Sequence, residues 1–94
     1  MASRLQKDDR VCYLCGNFIT SNRDKHHIFN GTAYRQKSED DELYVYLHHC
    51  CHMWLHNHPK SMWTFKQRGQ KVYETEIGCR NDFIKRYGKN YLEG

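Results

Sequence analysis

Residues 47–59 read LHHCCHMWLHNHP, five histidines and two cysteines within thirteen residues. Ligands packed this densely limit a 94-residue chain more than its other features do. A chain so short buries only roughly 60 to 65% of the surface that its unfolded form exposes, so it needs a staple. Composition agrees: 38% of residues are hydrophobic, lean for a packed core, although an aromatic share of 14% supplies large faces to bury. Disulfides are a poor staple here. Five cysteines is an odd count, and the opening MASRLQKDDR has no apolar h-region of a secretory signal. These features predict a soluble, cytoplasmic protein whose reduced thiols are free to bind metal. No stretch approaches the roughly 18 apolar residues of a membrane span, and the net charge of +4 suits an anionic partner such as nucleic acid.

The chain has no repeat and a single proline, Pro59, which predicts one domain over 11–94 after a frayed, polar 1–10. CYLCG at 12–16 reads as a tight knuckle in which Gly16 supplies a positive φ. HHIF at 26–29 predicts a short strand ended by Asn30 and Gly31, and LYVYL at 43–47 predicts its partner, with the polar 32–42 between them as a loop. CHMWLHNH then reads as a helix closed by Pro59. A second helix is expected from Ser61, as N-cap, to Ile77, weakened at Gly69, and a third from about Cys79 to Tyr87, stopping at Gly88. The expected class is α+β, a ββα core with helical additions.

Spacing divides the ligands. Cys12 and Cys15 form a CxxC pair that can grip one zinc, which needs two further ligands. His48 with Cys51, or His49 with His52, meets that need at the same spacing; the preference of structural zinc for thiolate selects His48 and Cys51, with His49 and Cys50 remaining as possible substitutes. His52 is then free, and lies one helical turn from His56 on the same face. Alternation along a strand sends His26 and His27 to opposite sides, so one can bind metal while the other handles a proton. His49, Cys50 and His58 read as packing or surface residues, Cys79 as a small apolar residue at a helix start, and Trp54, Trp63 and Phe65 as core. A metalloprotease HExxH motif is absent, because Met53 stands where its glutamate belongs.

CYLCG, KHHIFNGTAYRQKS, LYVYLHHCCHMWLH and FIKRYGKNYL, in this order from Cys12 onward, resemble the HNH endonucleases of the ββα-metal (His-Me finger) fold. The likeness is to the small phage and prophage group. It implies His27 as general base on a water molecule, His26 and His56 as ligands of a catalytic divalent ion such as Mg²⁺ or Mn²⁺, and His52 at the asparagine position of the motif. There a histidine either joins the metal shell, the preferred role, or orients the catalytic histidine. The second departure is His48, where relatives with two full knuckles carry cysteine. Arg35 matches an arginine of the pattern, and either clamps a phosphate or pins the loop to the acidic run at 39–42.

The function implied is a metal-dependent endonuclease that nicks DNA with low sequence specificity, leaving 5′-phosphate and 3′-hydroxyl ends, alone or with a phage-encoded protein partner. Lys60, Lys66, Arg68 and Lys71 are expected to follow the DNA backbone. The rival from another class is a zinc-stabilised module that binds DNA or protein without catalysis. It accounts for Cys12, Cys15, His48 and Cys51, but leaves the HH and HxxxH pairs unused.

Overall fold

A computed structural model describes residues 3–92. Strand β1 (Arg23–His27) pairs antiparallel with β2 (Tyr44–His48), with His26 opposite Val45 and His27 opposite Tyr44. β1 starts three residues earlier than the apolar content of HHIF implies, because its charged residues find partners across the pair. The Arg23 guanidinium lies 4.3 Å from the Tyr46 ring centre and the Lys25 ammonium 4.0 Å from that of Tyr44. Period-two alternation then puts Arg23, Lys25 and His27 on one face, and Asp24 and His26 on the other with the buried Val45 and Leu47.

The stretch between the strands is not all loop. Arg35–Asp40 forms the short helix α1, and its buried Ser38 accepts the Phe29 amide and donates to the Leu43 carbonyl, so the turn bridges the end of β1 and the start of β2. A polar segment without apolar period can fold this way when tertiary hydrogen bonds hold it. The segment before Cys12 is also tied down. Gln6 is buried, its amide donating to the carbonyls of Val11 and Tyr46 while its carbonyl accepts the Tyr46 amide at 2.7 Å.

After β2 the chain turns directly into α2 (His49–His56), and the non-helical His58 separates it from α3 (Pro59–Glu76). α3 starts at Pro59, not at a Ser61 cap: proline's fixed φ suits the first helical position, where no N–H is required. Ser61 lies inside that first turn, its amide donating to the His58 carbonyl. α4 (Arg80–Tyr87) is capped by Cys79 and Asp82, so Cys79 is an exposed cap and not a packed apolar residue. Phe83 and Tyr87 of α4 pack on Phe29, edge-on at 5.1 Å and tilted at 4.5 Å, and with Tyr73 they join Val45, Leu47, Leu55 and Phe65 in one buried core.

Gly69 sits where α3 crosses the end of the first strand. A Cβ there would lie 2.8 Å from Ile28 Cγ2 and 3.1 Å from the Phe29 ring. Helix propensity alone favours alanine by about 1 kcal/mol, whereas overpacking a filled core costs about 1 to 3 kcal/mol. Both neighbours are fully buried and cannot retreat. Gly69→Ala is therefore expected to destabilise the zinc-loaded protein by about 1 kcal/mol in thermal or urea denaturation; stabilisation would show that the crossing is looser than described.

Candidate metal centres

Two ligand clusters flank the junction of β2 and α2. The first draws on the loop before β1. Gly16, at φ 81°, folds that loop back so that the Cys12 amide donates to the Asn17 carbonyl and the Gly16 amide to the Cys12 carbonyl. Cys12, Cys15, His48 and Cys51 then offer four ligand atoms that all lie within 4.8 Å of one another. Tetrahedral zinc with bonds of about 2.3 Å spaces its sulfur ligands about 3.8 Å apart, so the set is close to that geometry.

The donors suit the ion. His48 Nε2 lies 3.0 Å from the Phe18 carbonyl, to which it donates, and this leaves Nδ1 as the lone pair, 3.3 Å from Cys15 Sγ. Burial raises the Cys12 thiol, but amide hydrogen bonds from Cys15, His48 and Leu14 outweigh it and bring Cys12 down to about 6. Burial and the neighbouring Cys12 and Cys15 push Cys51 up to about 12, the mark of thiols crowded together that a cation would relieve. This Cys3His cluster can bind one zinc ion. His49 and Cys50 are exposed and outside it.

The second cluster is His26, His52 and His56, whose ligand atoms also lie within 4.8 Å of one another. His26 is buried on the inner face of β1, its ring centre 5.1 Å from that of His52 and 6.0 Å from that of His56. One helical turn apart on α2, His52 and His56 bring their Nε2 atoms to 3.1 Å. Burial, with His52 and His56 next, pushes His26 down to about 3, so this imidazole stays neutral with a lone pair to give. Its Nε2 is buried without a hydrogen-bond partner, which costs energy unless something fills the position. An orphaned ring nitrogen beside two converging Nε2 atoms fits a cation.

Two carboxylates that the spacing did not reveal hold these rings. Asp24 Oδ2 accepts His52 Nδ1–H at 2.9 Å and His49 Nδ1–H at 2.8 Å. The bond from His52 above all, with that from His49, keeps the Asp24 carboxyl below its usual range against burial. Glu39 of α1 accepts His27 Nε2–H at 2.8 Å and pairs with Lys25 at 2.8 Å; these bonds, Lys25 first, likewise lower its carboxyl. Asp24 was legible in principle: it precedes His26 by two on a strand and must share its face. Glu39 was not, since only the folded α1 brings it to His27.

Lys25, His26, His27, Asn30, Arg35, His52 and His56 line an open cavity of about 280 Å³. Arg35 is thus at the cavity and exposed, without an ion pair to the acidic run among the described residues. Trp54 and Trp63 are 43% and 37% exposed and do not join the buried Phe65 in the core. Trp54 instead stacks on His58 at 3.7 Å. Lys60, Arg68 and Lys71 are exposed along α3, while Lys66 is half-buried. Among the described residues no helix is long and apolar enough to cross a membrane. Comparison of the chain with protein-family models, curated proteins and solved structures finds no match.

Native mass spectrometry of the purified protein is expected to show one tightly held zinc, lost in Cys12→Ala and Cys51→Ala and kept in Cys50→Ala and His49→Ala. Zinc removal should cost more than about 2 kcal/mol, roughly 10 °C in melting temperature for a chain of this size. Zinc retained at full stoichiometry by Cys51→Ala would overturn the ligand set.

Proposed function

We propose that the chain is a metal-dependent endonuclease of the HNH type, with the ββα-metal core formed by β1, β2 and α2, that hydrolyses DNA phosphodiester bonds. The observation that carries this is the cavity where three neutral-capable imidazoles converge beside a fourth, His27, that a carboxylate orients. A zinc-stabilised binding module has use for the Cys3His cluster but none for this arrangement, in which a buried ring nitrogen is left open.

His26, His52 and His56 would hold a Mg²⁺, Mn²⁺ or similar ion. When bound, that ion supplies positive charge against the pentavalent phosphorane-like transition state and the leaving 3′ oxygen. Glu39 takes up His27 Nε2–H, which leaves the Nδ1 lone pair to accept a proton from the attacking water. The same carboxylate stabilises the imidazolium that results. Asp24 does the parallel service for His52: by accepting Nδ1–H it fixes the tautomer whose Nε2 faces His56. Arg35, Lys25 and Asn30 are the polar groups on the cavity wall that can meet the phosphate oxygens. The products expected of this reading carry 5′-phosphate and 3′-hydroxyl ends. Low sequence preference is expected of a chain this small, in which contacts to the phosphate backbone carry most of the binding.

Two outcomes are expected. In a plasmid-nicking assay with Mg²⁺ or Mn²⁺, His27→Ala should lower the rate about 100-fold or more while keeping its zinc, since that is the range a general base contributes. Equal nicking by the two proteins, or none by the wild type with either ion, would sink the nuclease proposal in favour of the binding module. Asp24→Asn should raise the Mn²⁺ concentration for half-maximal rate about 10-fold, the scale of lost support to a histidine ligand, with zinc content unchanged. An unaltered metal requirement would mean that Asp24 does not position His52.

A further inference from the structure

Lys66 of α3 stands close enough to the cavity for its charge to act on the His26 ring. On the same helix Trp63 meets Tyr91 edge-on at 4.9 Å, and Tyr91 packs at 5.6 Å on the buried Phe29. The end of the described chain is anchored there. The Tyr91 amide donates to Gln70 Oε1 at 2.7 Å, and the Tyr91 carbonyl accepts Gln67 Nε2–H at 3.0 Å. Two ammonium groups bracket the rings: Lys89 Nζ lies 4.9 Å from the Trp63 centre and 5.8 Å from that of Tyr91, and Lys66 Nζ lies 5.6 Å from Tyr91.

We propose that Trp63, Tyr91, Lys66 and Lys89 form a subsite for single-stranded nucleic acid, in which a base stacks on Trp63 and its phosphates meet the two lysines. This names the substrate class of the site above, DNA with unpaired nucleotides beside the cut, and takes nucleic acid as ligand from that reading.

Three features favour that occupant. Trp63 is 37% exposed although tryptophan is the largest of side chains, and stacking on an exposed tryptophan needs a planar partner. Among the described residues neither Lys66 nor Lys89 has a carboxylate within salt-bridge distance, as is also true of Lys60, Arg68 and Lys71 on α3, so their charges are available to a polyanion. The two like charges also lie close enough to act on each other: burial first, then Lys89, lowers Lys66, a repulsion that a phosphate relieves. A duplex presents phosphates but keeps its base faces stacked inside, whereas a single strand presents both. An ammonium over an exposed ring is held weakly, so Lys89 can yield the ring face to a base and turn to the phosphate.

The chain has two tryptophans, which makes the subsite readable without catalysis. In zinc-loaded Trp54→Phe protein, with no other divalent ion, Trp63 is the single tryptophan and is excited apart from the tyrosines. An oligothymidylate should quench it saturably, and a blunt duplex of equal length or polyglutamate should not. Trp63→Ala should weaken binding of the labelled oligonucleotide about 10-fold, and Lys89→Gln, which removes the charge of an exposed side chain, should weaken it and flatten its salt dependence. Oligonucleotide bound with Trp63 unquenched, quenching by duplex or polyglutamate equal to that by oligothymidylate, or unchanged affinity in both variants would overturn the subsite. Plasmid nicking scored on the same preparations keeps the two proposals apart. Nicking without quenching removes only the subsite; quenching without nicking removes only the nuclease.

Discussion

The fold depends on the closure between the loop around Cys12 and the β2–α2 junction. His48 is the last residue of β2, the N-cap of α2 and a member of the Cys3His cluster, while Cys51 and His52, adjacent in sequence, belong to different clusters. The start of α2 has little else to hold it: His48 makes no side-chain cap, Asp24 accepts from His49 and His52 of the first turn, and the helix has eight residues, too few to persist in water without tertiary support. A zinc ion across the four ligands would clamp the strand end to the loop and set the pitch of α2 in one step. The position of His52 and His56 then follows from helix geometry, and loss of the clamp should disturb the three-histidine cluster although no ligand is shared.

The second constraint is electrostatic. Three imidazoles within a few ångströms cannot all carry protons, and the burial of His26 makes it the one that must remain neutral. Each of two rings gives one nitrogen to a carboxylate, His52 Nδ1 to Asp24 and His27 Nε2 to Glu39, which leaves the other nitrogen of each as the lone pair. Both acids are themselves held: Asp24 by a second histidine, Glu39 by Lys25, which in turn rests on Tyr44. This layered arrangement is common where a metal or a proton must be handled at fixed geometry, and uncommon in packing.

Both ligand clusters were legible in the sequence, because two-residue and four-residue spacings map onto a knuckle and a helical turn whatever the rest of the chain does. The order strand, strand, helix was legible for the same reason. What the spacing could not supply was tertiary. Arg23 to Lys25 look too polar for a strand until the cross-strand tyrosines are in place, and with that strand start missed, Asp24 was missed too. The acidic run at 39–42 has no periodicity, so α1 and the role of Glu39 rest on the burial of Ser38, which no local pattern announces. Trp54 and Trp63 read as core by type but stay exposed, Trp54 stacked on His58 and Trp63 edge-on to Tyr91, while Phe29, Phe83 and Tyr87 fill the core.

That His26, His52 and His56 hold a divalent ion separate from the zinc is the central claim, and crystals of the zinc-loaded protein soaked in Mn²⁺ test it most directly. Anomalous difference maps collected at the two metals' edges should show zinc among Cys12, Cys15, His48 and Cys51, and manganese bonded to one nitrogen of each of the three histidines in the cavity beside His27. Zinc alone, with the three-histidine cluster empty at saturating Mn²⁺, or manganese bound at Asp24 and His49 instead, would contradict it.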